Sequence, residues 1–320
     1  MIRAKRIGVL LFVAASVVIG AYPAEGPSAK NPGWVYLQSG PQDLQSKPGR
    51  HRHGAVRLGQ GTLAPVLKLE SKQGGTWAKV QVLDLARLTP QVGWVEVNNG
   101  SLLPAEQYPN DSDILRELGG EYLSDFAASH TDIARFLVAQ RGAAPLLLVY
   151  VASPNLGLAR LVAFSVAPGR LTPGPSMAFT LADLEAGILD LGIRDLIGDG
   201  NDCIVTHELF HEGPATDGTK LVIRRVVGKD FKTLWKAPLT YRNLGSYPHQ
   251  LIILKPAERN IGTAGSVTTG EVTFERHENI WEPIWKGIVD FYQIGRDQPL
   301  DSIHIEKACP WNGDTFAPLQ

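Results

Sequence analysis

Cysteine is scarce. Cys203 and Cys309 are the only two in 320 residues, which leaves room for a single intrachain bridge and excludes a disulfide-dense scaffold. An excess of charge is missing as well: 31 lysines and arginines face 32 acidic residues, for a net charge of -1. No global field therefore draws the chain to nucleic acid or to an anionic membrane. Past the first two dozen residues no apolar run is long enough to span a bilayer, and the best, Leu146 to Ala152, is the size of a strand. The G-x-S-x-G elbow, the phosphate-binding loop G-x-x-x-x-G-K-[ST] and the G-x-G-x-x-G fingerprint are all absent, and the scattered acids form no catalytic pair.

What is present begins at the N-terminus. Arg3, Lys5 and Arg6 precede an uncharged run from Ile7 to Ala21, a positive segment followed by an apolar one of signal-peptide length. Ile19-Gly20-Ala21 supplies small residues for a cut after Ala21, so residues 1–21 are read as a signal peptide and the mature chain as exported. Export permits a Cys203–Cys309 bridge, and two unpaired buried thiols fit the sequence equally well.

Between about Trp34 and Pro104 short alternating apolar segments are separated by Gly, Pro and Asn, the pattern of small antiparallel β structure. Val66–Leu69, Trp77–Val82 and Gly93–Val97 are its strand candidates, with Gly74-Gly75 as a turn. Leu37-Gln38-Ser39-Gly40-Pro41, Gly61-Thr62, Trp77-x-Lys79-Val80 and Gly93-Trp94-Val95 fall in the order of a bacterial SH3 (SH3b) domain, which residues 34–104 resemble. The pattern departs from that family in an insertion containing Arg50-His51-Arg52-His53 and another between Val82 and Gly93. The resemblance implies a small β-barrel binding cell-wall peptide or protein, with Trp77 and Trp94 as its candidate ligand residues. A core position for both aromatics is the competing expectation.

Ile114, Leu115, Leu118, Tyr122, Leu123 and Phe126 recur at helical spacing, predicting a linker helix over 111–128 capped by Asp111 or Ser112. From Ala134 the chain returns to strands: four candidates between 134 and 181, then four more between 188 and 236. Two successive four-strand meanders predict propeller-like blades over 134–320. Phe231-x-x-Leu234-Trp235-Lys236-Ala237 recurs fifty residues on as Trp281-x-x-Ile284-Trp285-Lys286-Gly287, and Gly228-x-x-Phe231-x-x-Leu234 recurs as Gly313-x-x-Phe316-x-x-Leu319. Three recognisable blades do not close an ordinary propeller, so this part is expected to stay open or to pair with another copy.

Two overlapping motifs carry the candidate chemistry. Asp195-Leu196-Ile197-Gly198-Asp199-Gly200-Asn201-Asp202 resembles the D-x-D-G-D-G-x-x-D loop of FG-GAP and VCBS propeller repeats, in which carboxylates hold calcium and a strand follows. Ile197 and Cys203 stand where that loop has acids, so the resemblance implies Asp195 and Asp199 as the calcium ligands. His207-Glu208-Leu209-Phe210-His211 matches H-E-x-x-H, whose histidines hold zinc and whose glutamate activates water when the motif is helical. Here β-branched residues precede it and Gly213-Pro214 follows, which favours a strand. Strand spacing sets His207 and His211 about 13 Å apart, too far for one zinc ion.

The sequence thus predicts a mainly β chain: a small SH3-like barrel, a linker helix and propeller-like antiparallel β-blades. The expected role is an exported, non-enzymatic interaction protein with a cell-wall peptide or another protein as partner, no nucleic acid, no membrane span once the signal is removed, and no cofactor. A zinc metallopeptidase using His207, Glu208 and His211 and a calcium-dependent adhesion module using Asp195 and Asp199 are the alternatives. Oligomerisation is left open.

Overall fold

A computed structural model describes residues 33–38, 41–49, 56–72, 74–97, 102–118, 131–167, 170–180, 187–211, 216–243, 265–292, 298–299 and 301–319. The expected signal peptide, the basic run at 50–53 and the end of the expected helix from 119 onward lie outside them.

The chain is mainly β, as its alternating pattern requires. Its first sheet is built from β1 (Trp34–Tyr36), β4 (Leu63–Lys72), β5 (Gly75–Asp84), β6 (Thr89–Val97) and β7 (Leu102–Leu103), in the order β6-β5-β4-β1-β7. The short pair β2 (Gln42–Asp43) and β3 (Arg57–Leu58) lies beside it. The three expected strands are β4, β5 and β6, each longer than its apolar stretch, and the β4–β5 turn places Gly74 at φ +79°. Alternation sends Val66, Ala78, Val80, Val82 and Val95 to one face, where they pack with Val35, Leu37 and Leu44.

A short helix follows, α1 (Asp111–Leu118), which buries Ile114 and Leu118 one turn apart. The cap is Asn110, whose Oδ1 accepts from the Asp113 N–H at 2.9 Å, and not Asp111 or Ser112. Asn110 is the last residue outside the helix and so the one free to turn its side chain back. Asp111, in the first turn, instead pairs with the buried Arg135, whose guanidinium lies 5.2 Å over the Trp34 ring.

The second sheet is a four-strand meander, β8 (Asp132–Val138), β9 (Leu146–Ser153), β10 (Leu158–Ala167) and β11 (Arg170–Thr180), as the spacing predicts. Both of its faces are covered. Phe136, Leu148, Tyr150 and Leu161 meet Ile193 and Ile204 on one side, while Leu137, Leu147, Val149 and Phe164 meet Trp34, Leu63 and Ile114 on the other. That explains why Leu146 to Ala152 reads as a continuous apolar run instead of alternating.

The third sheet is β12 (Ile188–Arg194), β13 (Cys203–His211), β14 (Thr216–Val227), β15 (Asp230–Asn243), β16 (Gly265–His277), β17 (Ile280–Tyr292) and β18 (Asp301–Ala308). All seven pair in sequence order and antiparallel, so the meander that begins with four strands runs on through three more in the same sheet. The sheet curls: the Trp281 N–H donates to the Leu196 carbonyl at 2.6 Å, and the Arg194 guanidinium lies 4.4 Å from the Trp281 ring centre. Trp235 and Trp285 both fall five residues into the second strand of a hairpin, and both are buried in the core that the curl encloses.

Two segments between residues 34 and 104 bind the sheets together. Leu83, Leu85 and Leu88 join the core formed by β8 to β13, so that core draws on both sides of residue 104. The turn Gly59 to Thr62 is held by β8 and β12: the Leu137 N–H donates to the Gly61 carbonyl and the Ile193 N–H to the Gln60 carbonyl, each at 2.9 Å. A Cβ on Gly61 would stand 2.4 Å from that of Ile193, and Gly61 has φ +89°, so glycine is required there twice over.

Candidate functional site

The H-E-x-x-H residues form the second half of β13, and the strand follows from the β-branched residues before them. Thr206 and Glu208 share the face that carries Ile204, and across the ladder Lys220, Val222 and Arg224 of β14 stand opposite them. Glu208 is 3% and Arg224 7% exposed, and they form a two-point ion pair. The Thr206 hydroxyl donates to Glu208 Oε1 at 2.6 Å, and Lys220 Nζ stands 3.8 Å from Oε2. Both carboxylate oxygens are thus engaged inside the sheet, with no side turned to a metal-bound water.

His207 points to the opposite face, beside its β12 partner Asp190. Burial lowers the His207 imidazole below its ordinary value despite the upward pull of Asp190 and Glu208, and its Nε2 is buried with no hydrogen-bond partner among the described residues. Burial raises the Asp190 carboxyl, against the Leu191 N–H and the nearby His207 and Arg57. His211 is the last residue of the strand, four positions on, so the ladder does not bring the two histidines together.

The Asp195–Asp202 loop folds as a compact turn in which the carboxylates hold protein groups. Asp195 Oδ1 and Oδ2 accept the N–H groups of Gly198 and Gly200 at 2.7 and 2.9 Å, with both glycines in the left-handed region at φ +72° and +81°. Asp199 takes both amine ends of Arg225 at 2.8 and 3.1 Å, and Arg225 reaches on to the Asn201 carbonyl at 2.9 Å. Partial burial raises the Asp199 carboxyl, but the Asn201 N–H and Arg225 outweigh it and hold the group below the usual range. A guanidinium from β14 therefore supplies the positive charge that a cation gives a loop of this kind. Asp202 accepts the N–H of Ala139, just past the end of β8, at 2.7 Å. No group of three or more His, Cys, Asp or Glu side chains converges among the described residues.

Trp77 and Trp94 are 6% and 8% exposed, too buried to serve as an open stacking platform. They lie on the same face of β5 and β6, opposite Glu96 and Lys79 respectively. Cys203 and Cys309 are both free thiols, fully buried in the core around Trp235 and Trp285. Burial raises both. No helix among the described residues is long and apolar enough to cross a membrane.

The feature that sequence reasoning missed is an open groove of about 660 Å³ on β16, β17 and β18. Its lining falls into three register rows. Gly270, Gly287 and Ile305 form the floor; Thr269, Ile288 and His304 form one wall; Glu271, Lys286 and Glu306 form the other. The glycines are needed because the Trp285 indole lies against the far side of that floor: a Cβ on Gly287 would come within 2.4 Å of the ring and one on Gly270 within 2.6 Å. In the charged wall, Lys286 Nζ meets Glu306 Oε1 at 2.8 Å, and the hydrogen bond and charge of Glu306, with lesser help from Glu275 and Glu271, raise the lysine. The available signal was the pair of glycines inside otherwise regular strands, one of them within Trp285-Lys286-Gly287.

No family model, curated protein or solved structure matches the chain. The functional reading therefore rests on this geometry and on the residues themselves.

Proposed function

We propose that the chain is an exported, non-enzymatic binding protein of the cell envelope or secreted space, and that its β16–β18 groove takes an amine-bearing peptide of the cell-wall type. The observation that carries the reading is the groove's charged wall. Glu271 and Glu306 flank a single lysine, so the wall holds one more negative than positive charge, opposite a wall of threonine, isoleucine and histidine that offers hydrogen bonds and apolar contact. An ammonium group on a short extended ligand fits such a wall, and the backbone floor admits close approach. The groups that chemistry would have needed are spent on the fold: Glu208 on Arg224, and Asp199 on Arg225. The signal-like first 21 residues and the SH3b- and FG-GAP/VCBS-like patterns point the same way, toward an exported scaffold that binds.

Calorimetric titration of the purified protein with a soluble cell-wall peptide carrying a free amine tests this. Binding is expected to weaken about tenfold or more in the double variant Glu271→Gln/Glu306→Gln and with acetylation of the amine, each removing charge-assisted contacts. No binding, or binding indifferent to both changes, overturns the groove assignment. Retention of the protein on isolated cell wall that survives the double variant would place the ligand elsewhere.

A further inference from the structure

Three arginines whose side chains are 15% exposed or less each hold a carboxylate: Arg135 takes Asp111, Arg224 takes Glu208 and Arg225 takes Asp199. Arg194, the last residue of β12, departs from that pattern. It is half-buried, with its guanidinium 4.4 Å from the Trp281 ring centre and 5.6 Å from that of Phe274, yet it makes no ion pair and no hydrogen bond among the described residues. Burial lowers its pKa, with no acid to offset the shift. The adjacent acid, Asp195, spends both oxygens on the Gly198 and Gly200 N–H groups. Arg135 is the direct comparison: it lies over the Trp34 ring as Arg194 lies over Trp281, and there the fork of N–H donors is filled by Asp111. At Arg194 a partly desolvated cation keeps five donors without an acceptor.

Room for an acceptor lies beside it. Every second residue of β12 shares a face, so Gly192 is on the face of Arg194, about 7 Å along the strand and opposite Val205 of β13. A Cβ on Gly192 would meet nothing within 4 Å, and its φ is outside the left-handed region. Neither close packing nor backbone strain requires glycine there, in contrast to Gly61, Gly270 and Gly287, and what the missing side chain leaves is open space. The surroundings are apolar, because Val205, Phe274 and Trp281 all pack partly against the core inside the curl. Arg276, across the β16–β17 ladder from Trp281, adds a second cation 5.8 Å from the same ring. Its Nε donates to the Glu278 carbonyl at 2.9 Å, and its two terminal nitrogens make no hydrogen bond among the described residues.

We propose that Arg194 anchors a binding site for a carboxylate carried on a short apolar body, the carboxylate on the guanidinium fork and the body over Gly192 and Val205. A guanidinium held over an indole still offers its planar edge, and that edge matches the two oxygens of a carboxylate. One fork among apolar neighbours suits the single charge and apolar tail of such a ligand; a phosphate dianion asks for more charge and more donors. Arg276, exposed and fixed by Glu278, adds attraction from the rim. The site is separate from the β16–β18 groove: Trp281 and Lys286 are an odd number of positions apart on an unbroken β17, so they lie on opposite faces of the sheet. The inference therefore does not depend on the groove's ligand.

Calorimetric titration of the purified chain with phenylacetate, set against the neutral phenylacetamide and inorganic phosphate, reads the outcome. Phenylacetate is expected to bind saturably at one site per chain, about tenfold or more tighter than either comparison compound. Arg194→Met should weaken it about tenfold or more and leave Tm within about 3 °C of wild type, since the charge removed has no partner to strand. Arg194→Lys keeps the charge and loses the fork, so it should not restore wild-type affinity. Gly192→Val fills the open space without touching Arg194; it should abolish binding while Tm holds or rises, because a β-branched residue favours a strand. Glu271→Gln/Glu306→Gln should leave phenylacetate binding unchanged. Absence of binding by the wild type, equal binding of the amide or of phosphate, or wild-type affinity in Arg194→Lys or Gly192→Val overturns the inference, as does loss of binding in the groove double variant. Should Arg194→Met fail to fold, the amide comparison and Gly192→Val still decide. Failure here leaves the groove's own titration standing, because that one reads an amine ligand against Glu271 and Glu306.

Discussion

Glu208 is where two accounts of this protein make opposite predictions. In a zinc peptidase, replacing the glutamate of H-E-x-x-H abolishes turnover and leaves the fold nearly untouched. In the geometry of β13 and β14, Glu208→Ala instead leaves the Arg224 guanidinium 7% exposed and without its counterion, and deprives the Thr206 hydroxyl of its best acceptor. Breaking one side of a buried pair costs about 3–5 kcal/mol, which for a chain of this size is roughly a 5–7 °C fall in Tm. Replacing both members with apolar residues of similar volume, Glu208→Leu/Arg224→Met, removes two desolvated charges at once and should recover most of that loss. The surface pair Lys68–Glu70, with side chains 62% and 35% exposed, provides the control: Lys68→Ala should cost under about 1 kcal/mol. Urea unfolding followed by tryptophan fluorescence measures all four proteins, with equal m-values as the check that the unfolding transition is unchanged. A Glu208→Ala protein within about 1 kcal/mol of wild type, or a double variant less stable than the single, would refute the structural role of this pair.

Further consequences are as direct. Since Arg225 neutralises Asp199, the Tm of the wild type should be indifferent to calcium and to chelator; Arg225→Met should lower it, by about 1–3 kcal/mol of stability, and make it responsive to calcium by scanning calorimetry. Cys203 and Cys309 should be silent to a thiol reagent in the native protein and should both titrate in guanidinium, whereas a bridge would leave them silent in both. Because the folded His207 has a pKa below its unfolded 6.5, the unfolded chain takes up the proton first as pH falls. Stability should therefore drop progressively from 6.5 down to the folded value, with the full penalty below it and none above 6.5, and His207→Gln should flatten that part of a urea midpoint against pH profile. Gly287→Ala drives a methyl group into the Trp285 ring and should destabilise by about 1–3 kcal/mol with a change in tryptophan emission.

How much of this was legible beforehand depended on whether a local pattern decides the outcome. Strand positions were readable because alternation and Gly/Pro punctuation act within a few residues: Trp77–Val82, Leu146–Ala152 and Cys203–Phe210 all lie inside strands. The strand reading of His207–His211 followed from its β-branched lead-in. Where the outcome depended on a residue far along the chain, the sequence was silent. Nothing near Glu208 announces Arg224, sixteen residues on, and nothing near Asp199 announces Arg225. The helix cap was expected at Asp111 or Ser112, one or two residues too late, for a local reason: Asn110, Asp111 and Ser112 are all competent caps, and Asn110, which lies just outside the helix, takes the role.

The same distinction explains why motifs with the right letters support different chemistry here. A motif specifies residue types at a spacing, while the element beneath it specifies direction. On a strand, adjacent residues face opposite ways, so His207 and Glu208 are separated by the whole thickness of the sheet. Glu208 then meets cross-strand neighbours at two-residue intervals, where Arg224 and Lys220 stand. The groove obeys the same logic in reverse. Glu271, Lys286 and Glu306 are scattered over 36 positions of sequence, yet they form one row because β16, β17 and β18 pair in an unbroken register that fixes which residues stand side by side. In this chain the register of the third sheet is what assembles a candidate site, and it does so from residues that carry no motif at all.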